Sequence, residues 1–426
     1  MNILIVTLGS RGDVQPYVAL GKGLKAAGHT VTVGTSASFE PFITEHGLDY
    51  GFMRNDLIEL MDSAEGRDAI ENTAGPVGAI RTTMKLMKQA NAINRRLMDD
   101  TWQAAQAVNP DLLIYHPKAL AGPHIAQKLG IPTMLAVPTP VFVPTRQYPV
   151  VGMPTLNLGG WYNRMGYQLV NRGYKVYDGI VNEFRQNLLG LDKIANAALP
   201  THMPDSRPIP VLHAFSKYLV PRPSDWPEHA TVNGFWFLEQ ADTWQPPAEL
   251  QAFLDAGEPP VYVGFGSMAG KNPARLAHIV VEALQQAGLR GIIATGWGGL
   301  ETRDLPATIL KIDQAPHDWL FPRVAAVVHH GGAGTTAAGL RAGRPTVICT
   351  FIADQPFWGQ RVHEMGAGSQ PIAHKKLSVQ NLTAALRDVT TNPAIRQNAA
   401  ALGEKIRQEN GVEHTVAMIE GMRIRV

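Results

Sequence analysis

The chain has 426 residues, 45% of them hydrophobic and 17% charged, with a net charge of +2. At roughly 150 residues per domain that length calls for two or three globular domains, and so small a charge excess gives no reason for a nucleic-acid partner. Cys349 is the only cysteine, which excludes an intrachain disulfide and a cysteine-based zinc site and suits a reducing cytoplasm.

The N-terminal stretch NILIVTLGSRGD holds about six apolar residues in a row, too few for a secretion signal or a membrane span. It predicts a buried first strand. QPYVALGKGLKAAG follows as a helix with Pro16 in its first turn and Gly28 at its end. TVTVGT is the next strand and SFEPFITEHG the next helix. Residues 52–104 break this rhythm with a helical, Met-rich region. DLLIYH (111–116) and PTMLAV (132–137) resume it as buried strands around AGPHIAQKLG. Residues 141–190 are irregular again, with scattered Pro, Gly and Tyr. Insertions of this kind after sheet strands are where binding loops sit.

A proline-rich, aperiodic stretch at 219–245 predicts a linker between domains. The alternation then restarts. PVYVGFGS, GIIATG, TILKID, AAVVHH and PTVICT read as strands, with ARLAHIVVEALQQAG, TTAAGLRAG and QPFWGQRVHEMG as helices between them. The tail is helical. The fold class is therefore α/β, with two halves (1–218 and 246–406) that each carry a parallel sheet covered on both faces. No stretch approaches the roughly 18 apolar residues of a spanning helix.

The stretch VVHHGGAGTT (327–336) is the most informative. A strand ends at His329 or His330. Gly331, Gly332 and Gly334 permit a tight turn and close backbone approach, and a helix begins near Thr335. The first N–H groups of a helix have no internal partner and carry its positive dipole end, so this is an anion site suited to a diphosphate. The plainer reading is a glycine-rich turn flanked by two histidines. GFGSM (264–268) supplies a second small loop, in which Ser267 offers a hydroxyl and an N–H. Neither loop is a Walker A sequence, and neither has the complete dinucleotide spacing. After PTVICT come Asp354 and Gln355, a pair able to exchange hydrogen bonds with sugar hydroxyls. Asp354 can equally cap the following helix.

Taken together, QAPHDWLFPRVAAVVHHGGAGTTAAGLRAGRPTVICTFIADQPFWGQRV (314–362) closely resembles the donor-binding signature of family 1 glycosyltransferases. The branch it resembles holds the sterol glucosyltransferases and the antibiotic and macrolide glycosyltransferases. GSRGDVQPYVALGKGLKAAGH (9–29) resembles the N-terminal signature of the same group, so the likeness spans the chain. The resemblance implies the GT-B fold: two Rossmann-like domains facing across a cleft. The acceptor belongs on 1–218 and the nucleotide sugar on 246–406. A last helix, about 407–426, returns to the N-terminal domain.

Carried over by position, His329 matches the histidine that contacts the diphosphate, with His330 beside it. Gly332, Gly334 and Thr335 match the phosphate loop, with Ser267 in the other loop and Gly12 in the N-terminal turn. Asp354 and Gln355 match the sugar-binding pair. Ala315 lies in the segment whose backbone reads the base. Plant relatives stack uracil on a tryptophan there, where this chain has Gln314. Uridine is the expected base, with thymidine donors and an aromatic face from Trp297 as alternatives.

Asp13 is either the cap of the first helix or a general base that takes the proton of an acceptor hydroxyl. The resemblance favours the base, because the sterol and antibiotic branch carries GDVQP. His116, at the end of DLLIYH, stands near the aspartate position of plant relatives. It is either a plain strand-end histidine or the partner of Asp13 in an inverted dyad. The implied reaction is a single displacement with inversion from UDP-glucose or a related nucleotide sugar, with no other cofactor. No D-x-D occurs, so metal independence is expected.

Met-rich and aromatic segments in the N-terminal half, including GGWYNRMGYQ, favour a lipophilic acceptor such as a sterol, triterpenoid, polyketide or flavonoid. Lys85, Lys88, Arg95 and Arg96 form either a solvated charged face or a peripheral membrane contact. Other readings are a sugar-nucleotide epimerase or hydrolase, and a non-catalytic nucleotide-binding homologue. The sequence is silent on oligomeric state.

Overall fold

The computed structural model describes residues 1–63, 76–153, 156, 158–266, 273–294 and 305–423. The chain divides into two units. Met1–Lys217, Pro221–Leu238 and Gly411–Val426 form the first; Tyr218–Val220 and Glu239–Asn410 form the second.

The first unit is built on a seven-stranded parallel sheet: β1 (Asn2–Val6), β2 (Thr30–Ser36), β3 (Asp49–Met53), β4 (Leu112–Tyr115), β5 (Thr133–Val137), β6 (Val211–His213) and β7 (Ala230–Val232). The order is β3-β2-β1-β4-β5-β6-β7, with Ile3 facing Val31 on one side and Leu112 on the other. Continuous apolar runs such as Ile3–Val6 and Leu112–Tyr115 are buried throughout, as a sheet covered on both faces requires. The chain reverses its winding between β1 and β4. In open α/β sheets the crevice beyond the strand ends at such a switch point is where ligands bind.

Helix α1 (Arg11–Ala26) leaves β1 and begins earlier than the sequence suggests. Pro16 therefore lies inside it, and its missing N–H leaves the Gly12 carbonyl without a helical donor. The helix Gly411–Arg423 packs on α1. A side chain at Gly23 would strike Val412, and Trp236 Nε1 donates to Thr415 Oγ1 at 3.0 Å. The stretch 219–245, read as a linker, contains β7, and residues 221–238 belong to the first unit. Only three residues there pair with the sheet, too few to set a period.

The second unit repeats the plan with β8 (Val261–Gly264), β9 (Gly291–Ala294), β10 (Ile309–Ile312), β11 (Ala326–His329), β12 (Thr346–Thr350) and β13 (Ile372–Ala373). All pair in parallel in the order β10-β9-β8-β11-β12-β13, so its switch point lies between β8 and β11. Val263, Val328, Val347 and Cys349 join one apolar core with the helix Pro273–Ala287, and Tyr262, Trp319, Phe321 and Val327 join another on the opposite face.

Candidate active site

Both switch points carry the residues singled out by the sequence. In the first unit, the loop after β1 brings Asp13 to the loop after β4, which carries His116. Asp13 is the third residue of α1, not its cap. One oxygen of its carboxylate accepts hydrogen bonds from the Ser10 N–H (2.8 Å) and Ser10 Oγ (3.1 Å). The other lies 3.5 Å from His116 Nε2 and 3.0 Å from Lys118 Nζ. Burial alone would raise the Asp13 pKa. Lys118, His116 and the Ser10 amide outweigh it and hold the carboxyl below its ordinary range.

The histidine's role follows from its other nitrogen. The Lys118 N–H donates to His116 Nδ1 at 3.2 Å, so the ring proton sits on Nε2, facing Asp13. Burial, with Lys118 adding to it, pushes this ring down to about 3, so it is neutral near pH 7. A neutral ring with Nδ1 engaged donates toward the carboxylate and has no lone pair to offer an acceptor proton. His116 can orient Asp13; it is not placed to relay.

Gly9 makes the approach possible. Its φ is +135°, and a side chain there would fall 2.2 Å from Asp13 Oδ2 and 2.7 Å from Lys118 Nζ. Gly12 is exposed, and a side chain there would meet only Ser10. Lys118 escaped the sequence reading, although it lies two residues past His116 in YHPKAL. It also borders a shallow surface depression lined by Leu8, Leu97, Met98, Ala119 and Leu120.

In the second unit, His329 ends β11 and is fully buried. The Gly331 N–H donates to its Nδ1 at 2.9 Å, which again puts the proton on Nε2. Burial, then the neighbouring His330 and His317, holds the ring neutral, well below its ordinary pKa. The buried Nε2 has no hydrogen-bond partner among the described residues, and neither has His330 Nδ1. Leaving a buried donor unmatched costs about 1–3 kcal/mol. A diphosphate oxygen is an acceptor that fits it.

Gly331 has φ +95°, and a side chain there would strike Ile348 at 2.7 Å. One at Gly332 would meet the His330 ring at 2.6 Å. Gly334 is exposed, with nothing within 4 Å of an added side chain, so packing does not demand glycine there. Helix α2 (Ala333–Arg341) starts two residues earlier than expected, with Gly332 at its N-cap. Thr335 is half-buried in its first turn, and Thr336 Oγ1 donates back to the Gly332 carbonyl.

Beyond β12 the picture differs from expectation. Asp354 stands at the N-cap of helix α3 (Gln355–Glu364), yet its carboxylate makes no cap bond and accepts from Trp358 Nε1 at 2.8 Å. Gln355 is buried, and its carboxamide oxygen accepts the N–H groups of Phe351 (2.6 Å) and Ile352 (3.0 Å). That oxygen shapes the loop. Ala315 is half-buried and Gln314 exposed, just before the turn of helix His317–Leu320. Ser267 and Trp297 lie outside the described residues.

The basic face on helix Pro76–Val108 is neutralised where it is described. Arg95 pairs with Glu183, and Arg96 pairs with Asp56 at 2.7 Å. The side chains of Lys85 and Lys88 lie outside the described ones. Among the described residues, no three His, Cys, Asp or Glu converge as a metal site, and no helix is long and apolar enough to cross a membrane.

The buried histidines carry a stability prediction. Burial, first in each case, pushes His116, His124 and His213 down to about 3 and His330 to about 4. Between those values and the ordinary 6.5, the unfolded chain binds protons that the folded chain does not. Stability is therefore whole above about pH 6.5 and falls as pH drops through that window, by about 1.4 kcal/mol per pH unit per histidine. Scanning calorimetry is expected to show a steady Tm above about pH 7 and a steep fall below about pH 6. A Tm that holds steady to about pH 4 would contradict buried neutral rings.

Residues 3–147 match the glycosyltransferase family 28 N-terminal domain, and residues 292–419 match the erythromycin biosynthesis protein CIII-like C-terminal domain. The fold matches the crystal structure of the kitacinnamycin glycotransferase, with a TM-score of 0.73 at 20% identity over 98% of both chains. It also matches the calicheamicin glycosyltransferase, with a TM-score of 0.71 at 16% identity over 100% of this chain and 99% of that one. The chain has the two-sheet GT-B fold of these glycosyltransferases. Within that class it is similar to fungal sterol 3-beta-glucosyltransferases: 39% identical to that of Leptosphaeria maculans over 98% of this chain, and 40% to that of Aspergillus terreus over 98%. It spans only 28% and 30% of the length of those two relatives.

Proposed function

We propose that the chain transfers glucose from UDP-glucose to the hydroxyl of a sterol-like acceptor, with inversion to a β-glycoside. The observation that carries this reading is the Asp13 carboxylate at the first switch point. It is fixed by Ser10 and faced by the Nε2–H of His116. The similarity to sterol glucosyltransferases along nearly the whole chain supports the acceptor class.

Asp13 accepts the proton of the acceptor hydroxyl as that oxygen bonds to the anomeric carbon. The bond from that carbon to the diphosphate breaks on the opposite face, and UDP leaves. His116 holds the carboxylate in place. The His329 Nε2–H and the first amides of α2 stabilise the charge that grows on the leaving diphosphate, donors already oriented before reaction. Gly332, Gly334 and Thr335 let the diphosphate approach those amides. Asp354 is assigned to the sugar, while Gln355 holds its loop.

Among the groups that hold the Asp13 pKa down, Lys118 acts most strongly, since its cation keeps the carboxylate ionised and weakly basic. Lys118→Met is expected to let Asp13 titrate higher and to move the acid limb of kcat/KM up by about one pH unit. A pH–rate profile that overlays the parent would show that Lys118 does not act on the base.

Protein donors take the place of a metal on the diphosphate in this reading, in keeping with the absence of D-x-D. Excess EDTA is expected to leave initial rates unchanged, and a loss restored by Mg²⁺ or Mn²⁺ would refute this point. A reducing, cytoplasmic setting suits Cys349, whose buried thiol is pushed up to about 12 by burial. An acceptor assay with UDP-glucose and an Asp13→Asn variant tests the whole reading.

A further inference from the structure

Among the described residues, the first unit exposes a helix face that packs against nothing in its own fold. From Leu112 through Tyr177 the sequence has no aspartate or glutamate, although the chain balances 38 basic against 36 acidic residues. Within that stretch lies the helix Gly160–Tyr174, continued by one turn at Lys175–Tyr177. Its inner face is fixed. Tyr162, Asn163, Gly166 and Tyr167 are buried, and a side chain at Gly166 would strike Met153 and Val150.

The outer face is apolar and basic. Trp161 is 66% exposed, Leu169 51% and Val176 44%, with Leu156 and Leu158 also exposed in the turn just before the helix. Arg164, Arg172 and Lys175 are exposed among them at helical spacing. Arg164 lies near Asp225, whose carboxylate is held by Thr145 Oγ1 at 2.6 Å and the Arg146 N–H at 2.8 Å. Arg172 and Lys175 form no ion pair among the described residues.

We infer that this face, from Leu156 to Val176, seats the protein on an anionic lipid surface. Tryptophan and leucine beside unpaired arginine and lysine make an interfacial surface: apolar side chains enter the acyl boundary and cations meet the headgroups. Trp and Arg would also suit a protein interface; what favours lipid is that no carboxylate stands among these cations from Leu112 to Tyr177. The inference goes beyond the catalytic reading. A sterol-like acceptor resides in membranes, and this face would bring the enzyme to it.

The test is co-sedimentation of the full chain with vesicles, without donor sugar, so it fails separately from the catalytic reading. Vesicles of phosphatidylcholine alone are compared with vesicles that are one-third phosphatidylserine. Binding is expected only to the anionic vesicles, weakening as salt rises. The pair Trp161→Ala and Leu169→Ala is expected to weaken it about tenfold. In case that pair disturbs folding, Arg172→Gln with Lys175→Gln changes only exposed charge and is expected to cost about fivefold per cation removed. Equal binding to both vesicles, or binding indifferent to both pairs, would overturn the assignment. So would a chain that ignores vesicles and forms a dimer that the Trp161 and Leu169 changes dissolve.

Discussion

Asp13→Asn is expected to lower kcat by about 10²–10⁴-fold, the usual worth of a positioned general base. The amide keeps the size of the carboxylate and can still accept from the Ser10 N–H, so the first turn of α1 stays closed. What disappears is the negative charge facing His116 and Lys118, and with it the site that takes the acceptor proton. UDP-glucose binding, assigned to the second unit, is expected to remain. The competing account makes Asp13 a helix-end residue only. It predicts unchanged kcat and a stability loss of about 1 kcal/mol. Initial rates read beside a thermal melt separate the two.

His329→Ala is expected to cost about 10²–10³-fold in kcat/KM for the donor, the scale seen when one donor to a developing negative charge is removed. The reasoning rests on the tautomer. Gly331 engages Nδ1 and leaves a buried Nε2–H without a partner among the described residues. Alanine removes that donor and also strips the Gly331 N–H of its acceptor, so a stability loss of about 1–3 kcal/mol accompanies the kinetic one. Calorimetric titration with UDP distinguishes them. Weakened affinity in a variant that still melts cooperatively supports the diphosphate role; unaltered affinity opposes it.

Much of this was legible in the sequence, for identifiable reasons. Strands such as Ile3–Val6 and Val347–Thr350 are continuous β-branched or apolar runs buried on both faces, and such runs announce themselves. β3 is DYGFM, with an acid, a glycine and an exposed Phe52, and carries no such pattern. β6, β7 and β13 have three, three and two residues and were missed because their pairing is decided by neighbours already in the sheet. Asp13, His116 and the HHGG loop were legible because each directly follows a strand that flanks a switch point.

What stayed hidden depends on side-chain direction. Lys118 reaches Asp13 along a flexible stem, from 105 positions away in the sequence. Gln355 turns its oxygen inward because the preceding loop passes through Ala353 at φ +57° and leaves the amides of Phe351 and Ile352 to be satisfied. Arg95 and Arg96 looked like a basic face because their partners, Glu183 and Asp56, lie 88 and 40 positions away.

The central claim is glucosyl transfer to a sterol-like hydroxyl with Asp13 as base. The direct measurement is mass spectrometry of products from UDP-glucose and a panel holding a sterol, a triterpenoid, a macrolide and a flavonoid, run with the parent chain and with Asp13→Asn. NMR of the product fixes the anomeric configuration. The account predicts a β-linked hexose on the sterol that all but vanishes in the variant. A chain that binds UDP-glucose yet glycosylates no member of the panel, or one whose Asp13→Asn variant forms the same glucoside at the parent rate, would contradict it.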